Sequence, residues 1–370
     1  MYAVDVCDYM YRYYITYDRL FALNKKAFYG KTDAVTVNIF IDIRSFIDPL
    51  IKRNDIRFEY KDNQTPIASS ILNLAIHLRN YYRTRHYTEA KIYLVWGANA
   101  ISGTGRYGAY NAVNNMAFAV NSEIKKVLMN GLELLKTLCP YLPQIYFIDC
   151  GVYETAAGIQ AMLDFPDKSG IYMGVPNIIY SRDPYMCQLV ANNPYTFMFG
   201  CYKSADGDDN SIIVEKENIY NCFRYMNKYS NRNISDPESV SYFNMAIALS
   251  GMKCRNVKGG ITFNSACRLI ARYQYDIPAS SPDVAVLEFA LTDKQLTRTE
   301  KKAVYSINQY GMGIKDINEE LNISLTRNYF YSSTNFLFVF EGCVDLYSPE
   351  DIKRINERFF LNYPVDIMRL

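Results

Sequence analysis

Three short runs rich in β-branched and aromatic residues alternate with long helical stretches, and this alternation constrains the fold most strongly. The runs are VTVNIFID (35–42), KIYLVW (91–96) and NIIYS (177–181). Short apolar runs of this kind are typical of strands buried on both faces of a sheet. Helical patterns cover residues 68–85 and about 117–138, and Pro140 and Pro143 stop the second. The alternation predicts an α/β fold with a mostly parallel sheet flanked by helices.

Further along the chain, a strand pair and then two helices around a glycine-bearing hairpin are predicted. The strand-like segments YTFMFGCY and SIIVEKE flank residues 203–210, whose Gly and Asp residues favour a hairpin turn. Residues 239–251 and 261–273 have helical patterns, and MKCRNVKGG joins them. TEKKAVYSINQYG and SPEDIKRINERFF are the clearest helical patterns in the tail. These patterns predict an α/β domain over 1–235, a helix–hairpin–helix subdomain over 236–280 and a mixed C-terminal region over 281–370.

Charge and cysteine usage narrow the class of protein. The formal net charge of the 370 residues is only +2, so nucleic-acid binding would depend on local basic patches. The nine cysteines contain no CxxC pair, which is typical of reduced thiols that serve as small core residues in the cytosol. No apolar run approaches the roughly 18 residues of a membrane span, and the start of the chain lacks a signal-peptide layout. We therefore expect a soluble cytoplasmic protein with no membrane partner. Abundant Tyr, 34 residues, with many Asn and Ile favours an AT-rich phage or viral genome, which would make this the host-cell cytoplasm.

Acidic residues stand where two of the predicted strands end. Asp42 closes the first run, and Asp183 follows the third. In α/β proteins, functional side chains emerge at the carboxyl ends of such strands. Two residues after Asp183, where a metal site would have a second carboxylate, the chain has Tyr185.

Five segments, in order along the chain, together resemble the 5′-nuclease family, which comprises flap endonucleases and phage and bacterial 5′–3′ exonucleases with a PIN-like fold. The matching segments are VNIFIDIRSF, VWGANAISGTGRYGAYNA, YETAAGIQAML, SRDPYMCQLV and ALSGMKCRNVKGGITFNSACRLI. They span roughly residues 35–275. Each motif alone is weak, but five in order at sensible spacing are fairly specific. The resemblance implies a nuclease-type α/β domain followed by a helix–hairpin–helix that grips duplex backbone.

The resemblance also implies a cluster of carboxylates around two divalent ions, Mg²⁺ or Mn²⁺, and this chain has lost much of that cluster. The ions would generate the attacking hydroxide and stabilise the leaving oxygen. The acids retained at matching positions are Asp42, Glu154 and Asp183. Other residues stand at positions where the family has acids, namely Trp96, Ala156, Ala157 and Tyr185. Trp96 would also place a large apolar body where a metal ion and its waters lie.

The three retained acids have several interpretations. Asp42 could cap the helix that follows it, and Glu154 would favour the dipole of the helix it precedes. Arg44 and Arg182 lie near the same crevice in the pattern and could neutralise the acids without a metal, Arg182 by pairing with Asp183. A residual metal site on the three acids is the alternative, and no other cofactor is expected.

The basic residues of the hairpin point to DNA. Successive backbone N–H groups over Val257–Gly260, followed by a helix N-terminus, would form a concavity that binds anions. Arg268 and Arg272 would share one face of that helix. By contrast, the segment that handles single strands in the family has no basic residue between Arg106 and Lys125. The candidate nucleic-acid-binding residues are Arg106, Lys253, Arg255, Asn256, Lys258, Gly259 and Gly260.

Three functions remain open from the sequence. The leading hypothesis is a catalytically degenerate 5′-nuclease homologue that binds DNA or assembles with other proteins in phage or viral replication or transcription. The first alternative is an active Mg²⁺- or Mn²⁺-dependent 5′–3′ exonuclease or flap endonuclease with a reduced ligand set. The second is a structural phage or virion protein without DNA binding, which the near-neutral charge favours.

Overall fold

A six-stranded sheet forms the centre of the fold. The computed structural model describes residues 36–45, 66–85, 89–97, 122–150, 155–164, 166–203, 209–229, 234–252, 257–258, 261–276 and 297. The strands are β1 (Thr36–Asp42), β2 (Glu89–Trp96), β3 (Ile145–Asp149), β4 (Asn177–Tyr180), β5 (Thr196–Lys203) and β6 (Asp209–Val214). Their order across the sheet is β3-β2-β1-β4-β5-β6. Every neighbouring pair is parallel except β5–β6. The predicted mostly parallel α/β fold is confirmed.

The order of the strands reverses at β1. The chain proceeds from β1 outward through β2 to β3, and then crosses to the other side of β1 for β4 and β5. At such a reversal, the chain segment that follows β1 and the segment that follows β4 diverge. A crevice therefore opens between them at the carboxyl ends of these two strands. Asp42 ends β1 and Ser181 follows β4, so both lie at this crevice.

Helices cover both faces of the sheet. They are α1 (Pro66–Arg85), α2 (Ser122–Leu138), α3 (Thr155–Asp164), α4 (Pro166–Ser169), α5 (Cys187–Asn192), α6 (Ile219–Met226), α7 (Phe243–Ser250) and α8 (Phe263–Tyr273). Helix α1 packs on β2 and on α2. Helices α3 and α5 to α8 contribute to an apolar cluster with the side chains of the opposite face of the sheet.

The sequence located most of these elements but not all. The strands β1, β2, β4, β5 and β6 lie within three residues of the predicted ones, and α2 ends before Pro140 as expected. Strand β3 and helix α6 were not predicted from the sequence. Strand β3 is only five residues long and starts directly after Gln144, whose φ of 64° makes the abrupt turn out of the preceding segment. The two helices predicted in the tail lie outside the described residues.

Stacked aromatic rings run across the sheet on the face that carries the apolar cluster. The Phe40 and Tyr93 rings stack at a centroid distance of 5.1 Å, and Tyr93 and Tyr146 stack at 5.2 Å. These residues occupy equivalent positions on β1, β2 and β3, so the ring ladder holds the strand register. Buried free thiols fill other parts of the interior, as expected for core cysteines, at Cys139, Cys150, Cys187, Cys222 and Cys267.

Two helices and a short strand pair occupy the region where a helix–hairpin–helix was predicted. Strands β7 (Gly251–Met252) and β8 (Val257–Lys258) pair antiparallel between α7 and α8. Thr262 caps α8, because its side chain accepts a hydrogen bond from the Ser265 N–H at 3.2 Å. The buried face of α8 belongs to the same apolar cluster as the sheet. Along the part of the chain that the structure describes, no helix has both the length and the apolar content needed to cross a bilayer.

A buried arginine ties α6 to the chain before α7 and to α8. Arg224 is 1% exposed, and its guanidinium forms two hydrogen bonds with the Asp236 carboxylate, one of them 2.8 Å long. Its Nε donates to Asn264 Oδ1 at 2.9 Å. A buried charge is tolerated only when it is paired and hydrogen-bonded in this way.

We expect Asp236→Ala to lower the free energy of unfolding by about 3 kcal/mol or more, because it leaves the Arg224 guanidinium buried without its counter-charge. The double variant Arg224→Met/Asp236→Leu should recover much of the loss, since it removes the charge itself. Urea unfolding followed by circular dichroism measures both effects. Asp276→Ala, at an exposed position, is the matched control. An Asp236→Ala protein as stable as the control would contradict this account of the ion pair.

Candidate functional site

The site lies at the carboxyl ends of β1 and β4, where the strand order reverses. Asp42 is 4% exposed and lies in register with Val95 on β2. On the other side, Ile41 is in register with Tyr180, so Asp42 and Ser181 extend from adjacent positions. The carboxyl group therefore projects between neighbouring strands rather than into open solvent.

Two serine hydroxyls hold one oxygen of the Asp42 carboxyl. Asp42 Oδ2 accepts a hydrogen bond from Ser45 Oγ at 2.5 Å and another from Ser181 Oγ at 2.7 Å. The hydroxyls in turn accept from the backbone, Ser45 Oγ from the Arg182 N–H at 2.8 Å and Ser181 Oγ from the Asp183 N–H at 3.1 Å. Because each hydroxyl oxygen receives an amide proton, its own proton is free to point at the carboxyl. We call Asp42, Ser45 and Ser181 the serine–aspartate cluster.

The other oxygen of the same carboxyl has no such support. Asp42 Oδ1 is buried and accepts no hydrogen bond from any residue that the structure describes. A buried acceptor without a partner costs free energy, and the cost is larger when it carries charge. The two carboxyl oxygens of Asp42 therefore differ. Oδ2 accepts two hydrogen bonds, and Oδ1 accepts none from the described residues. Among the described residues, the donors to the Asp42 carboxyl are serine hydroxyls, and one of them, Ser45, lies in the helical turn directly after β1.

Burial raises the pKa of the Asp42 carboxyl to about 6. The hydrogen bonds from Ser45 and Ser181 oppose this shift, the nearby charge of Asp183 adds to it, and Arg44 lowers the pKa. Desolvation is the largest of these effects because it penalises the charged form directly. The carboxyl thus takes up a proton at a pH where an exposed aspartate remains ionised.

Two of the three acids retained in the sequence come together here. Asp183 lies three residues after the end of β4 and is close enough to Asp42 to raise the pKa of that carboxyl. Its backbone N–H also belongs to the hydrogen-bond network of the cluster. Glu154 lies outside the described residues, immediately before the first residue of α3.

Positions that carry acids in the resembling family are buried and apolar here. Ala156 is 1% exposed and belongs to the apolar cluster. Trp96 is 6% exposed and lies in register with Asp149 on β3. Side chains alternate between the faces of a strand, so the register places Trp96 on the face opposite to Asp42. The Trp96 side chain is therefore directed away from the serine–aspartate cluster, and the expectation that it fills the position of a metal ion beside Asp42 is wrong.

Sequence reasoning missed an acid at this edge of the sheet. Asp149 ends β3 and is partly buried, and it shares a face with Trp96. The next residue, Cys150, has a thiol whose pKa lies well above its usual value because of burial first, and then because of the charges of Asp149 and Asp42. Identifying β3 in the sequence would have revealed Asp149 as a strand-end acid.

The described residues do not fit a two-ion metal centre. No group of three or more His, Cys, Asp or Glu side chains with the spacing to hold a metal occurs among them. Magnesium prefers octahedral oxygen ligation with one or more carboxylates available to it. Asp42 would offer only its bare Oδ1, since Oδ2 is engaged by two hydroxyls. Asp42 and Asp183 alone do not supply the ligands of a two-ion mechanism.

The candidate nucleic-acid-binding residues are only partly within the described structure. Lys258 lies in β8, and Arg268 and Arg272 are both exposed on α8, as their spacing predicts. The remaining candidates lie outside the described residues, namely Arg106, Lys253, Arg255, Asn256, Gly259 and Gly260.

No protein-family model and no curated protein sequence matches this chain. Among solved structures, the chain is similar to the T5 5′-exonuclease, in a structure with bound divalent zinc ions. The TM-score is 0.48 at 13% sequence identity, and the match covers 77% of this chain and 89% of the exonuclease.

Replacing Asp42 with Asn should change how stability depends on pH. The carboxyl titrates near 3.8 when exposed and near 6 when folded, so the unfolded chain loses its proton first as the pH rises. The folded state therefore loses stability from about pH 4 to pH 6. Between pH 4 and pH 7 we expect the wild-type free energy of unfolding to fall by about 2 kcal/mol relative to Asp42→Asn.

Urea unfolding at stepped pH values measures this difference. Ser181→Ala provides an internal check, because losing a hydrogen bond that lowers the pKa of Asp42 should extend the pH-dependent window upward. Parallel pH profiles for wild type and Asp42→Asn would contradict the burial account.

Proposed function

We propose that this chain is a catalytically degenerate relative of the 5′-nucleases that binds nucleic acid without cutting it. We further propose that it serves as a binding or assembly subunit in phage or viral replication or transcription. The serine–aspartate cluster is the observation that carries the proposal. The five sequence motifs support a relationship to the 5′-nucleases. The serine–aspartate cluster is the reason to propose that this chain does not catalyse their reaction.

The geometry of Asp42 is unfavourable for metal-dependent hydrolysis. A metal ligand must be deprotonated and must present its oxygen to the ion. Here two serine hydroxyls already donate to Oδ2 of the Asp42 carboxyl, which leaves only Oδ1 for an ion. Aligning water and phosphate for in-line displacement needs several such oxygens around two ions. The cluster is better suited to linking the segments after β1 and β4 than to holding an ion.

The lost acids support the same proposal. Ala156 is packed in the apolar cluster, where an acid would be desolvated without a partner. Trp96 is likewise buried at the end of β2. Tyr185 and Ala157 complete the set of replacements in the sequence. Restoring the family's ligand set would therefore require more than one substitution.

Nucleic-acid binding draws its support from the region between α7 and α8. The sequence between β7 and β8 contains Lys253 and Arg255, and Lys258 ends β8. Helix α8 then begins at a Thr262 cap. Arg268 and Arg272 extend positive charge along the exposed side of α8. Contacts of lysine and arginine with phosphates release counterions, which makes such binding dependent on salt concentration.

One observation favours an active enzyme as the second candidate. Asp42 Oδ1 is bare and Asp183 is near, so a single divalent ion would find two carboxylates at the crevice. The near-neutral net charge of +2 favours the third candidate, a structural protein that does not bind DNA. A flap-cleavage assay and a duplex-binding assay distinguish these candidates.

We expect the purified chain to leave a 5′-flap substrate intact in Mg²⁺ or Mn²⁺, because the ligand set is incomplete. Gel electrophoresis of an end-labelled flap measures this directly. Asp183→Ala is the matched variant, and it should behave like the wild type. Cleavage by the wild type that Asp183→Ala abolishes would overturn the proposal in favour of a reduced-ligand nuclease.

We expect duplex DNA to bind in a salt-dependent manner, with Lys258→Glu weakening the affinity roughly tenfold through loss of one phosphate contact and added repulsion. Lys136→Glu, at an exposed position on α2, is the matched control and should bind like the wild type. Fluorescence anisotropy over a series of salt concentrations measures both. Absence of binding by the wild type at low salt would favour the structural candidate.

A further inference from the structure

We propose that the C-terminal end of α6 forms a contact surface for single-stranded nucleic acid. The surface consists of Tyr225, Lys228 and Tyr229, and we call it the tyrosine–lysine surface. The inference rests on the proposed nucleic-acid-binding function, and it assigns part of that function to a place outside the hairpin.

The backbone at the end of α6 holds a lysine in a conformation that favours glycine. The Tyr229 N–H donates to the Arg224 carbonyl at 2.9 Å, and the Lys228 N–H donates to the Tyr225 carbonyl at 3.2 Å. This pair of bonds closes a helix through a residue in the left-handed region, a position where glycine is most common. Lys228 occupies it with a φ of 58°. Strained backbone conformations cluster at functional sites, so a lysine kept at this position is a candidate functional side chain.

Two tyrosine rings flank this lysine at the surface. Tyr225 is 47% exposed and Tyr229 is 37% exposed, although both are large apolar side chains. Lys228 between them is exposed as well. The Tyr229 ring stacks on Phe263 with an interplanar angle of 14° and a centroid distance of 6.2 Å. One ring is therefore fixed in orientation by the core while a large part of it remains accessible.

The surface lies toward the carboxyl edge of the parallel strands. Midway along α6, the Cys222 thiol donates to the Ile213 carbonyl, and at the end of the helix the Met226 side chain packs over Gly200. Helix α6 therefore runs in the direction of β5, toward the edge where the serine–aspartate cluster lies. The stacking of Tyr229 on Phe263 joins the surface to the first turn of α8, just after the hairpin.

The chemistry of this surface matches unpaired bases on a phosphate backbone. An exposed ring can stack on any base, and a neighbouring lysine can pair with the adjoining phosphate. In a duplex the faces of the bases are stacked on each other and are not available to such rings. Single-stranded nucleic acid is therefore the occupant, and duplex remains the ligand of the hairpin.

The test is fluorescence anisotropy of the full chain with labelled oligothymidylate and, separately, with labelled duplex. Tyr225→Leu should weaken oligothymidylate binding roughly five- to tenfold, whereas Tyr225→Phe, which keeps the ring, should bind like the wild type. Lys228→Gly should reduce the slope of log affinity against log salt concentration by about one, because one contact between a lysine and a phosphate is lost. The same Lys228→Gly variant should melt at a higher temperature, because glycine relieves the left-handed backbone.

Each other outcome counts against a defined part of the proposal. Oligothymidylate binding by the wild type that is unchanged in Tyr225→Leu and Lys228→Gly would overturn the inference and leave the proposed function standing. An equal loss of duplex binding in these variants would overturn the assignment to single strands. A lower melting temperature for Lys228→Gly would overturn the argument from backbone strain. If the wild type binds neither oligothymidylate nor duplex DNA, both the inference and the proposed function are overturned.

Discussion

The hydrogen bonds from Ser45 and Ser181 to Asp42 connect the two halves of the sheet at the point where the strand order reverses. Ser45 follows β1 and Ser181 follows β4, and both hydroxyls donate to the same carboxyl oxygen. Backbone N–H groups of Arg182 and Asp183 complete the network, so the segment after β4 is held against the segment after β1. The crevice keeps its geometry because the parallel register of β1 with β4 brings these residues side by side.

The same network uses a carboxyl that a nuclease of the resembling family would need for metal. One oxygen accepts hydrogen bonds from two hydroxyls, and the other is buried with no hydrogen-bond donor among the described residues. Burial raises the pKa of the Asp42 carboxyl to about 6. A group in this state stabilises the fold best when it is protonated and would serve a metal ion best when it is not. Together with the burial of Ala156 in the apolar cluster, this conflict is the physical basis for separating the fold from the family's reaction.

The sequence was sufficient for features with strong local signals. The β-branched runs located β1, β2 and β4, and the helical spacing of Arg268 and Arg272 predicted their common exposed face on α8. Asp149 was missed because β3 is only five residues long and because no residue pattern marks the turn at Gln144 before it. The hydrogen bond from Ser181 to Asp42 could not be predicted from the sequence either. The two residues are 139 positions apart along the chain, and only the pairing of β1 with β4 brings them together. The left-handed conformation of Lys228 depends likewise on the helix end that it closes, and no residue pattern marks it.

The most direct test of the account is an anomalous diffraction map from crystals soaked in Mn²⁺. The account predicts no manganese peak within bonding distance of Asp42, and the two serine hydroxyls still directed at its carboxyl. A manganese ion bound between Asp42 and Asp183, with Ser45 or Ser181 displaced from the carboxyl, would contradict it.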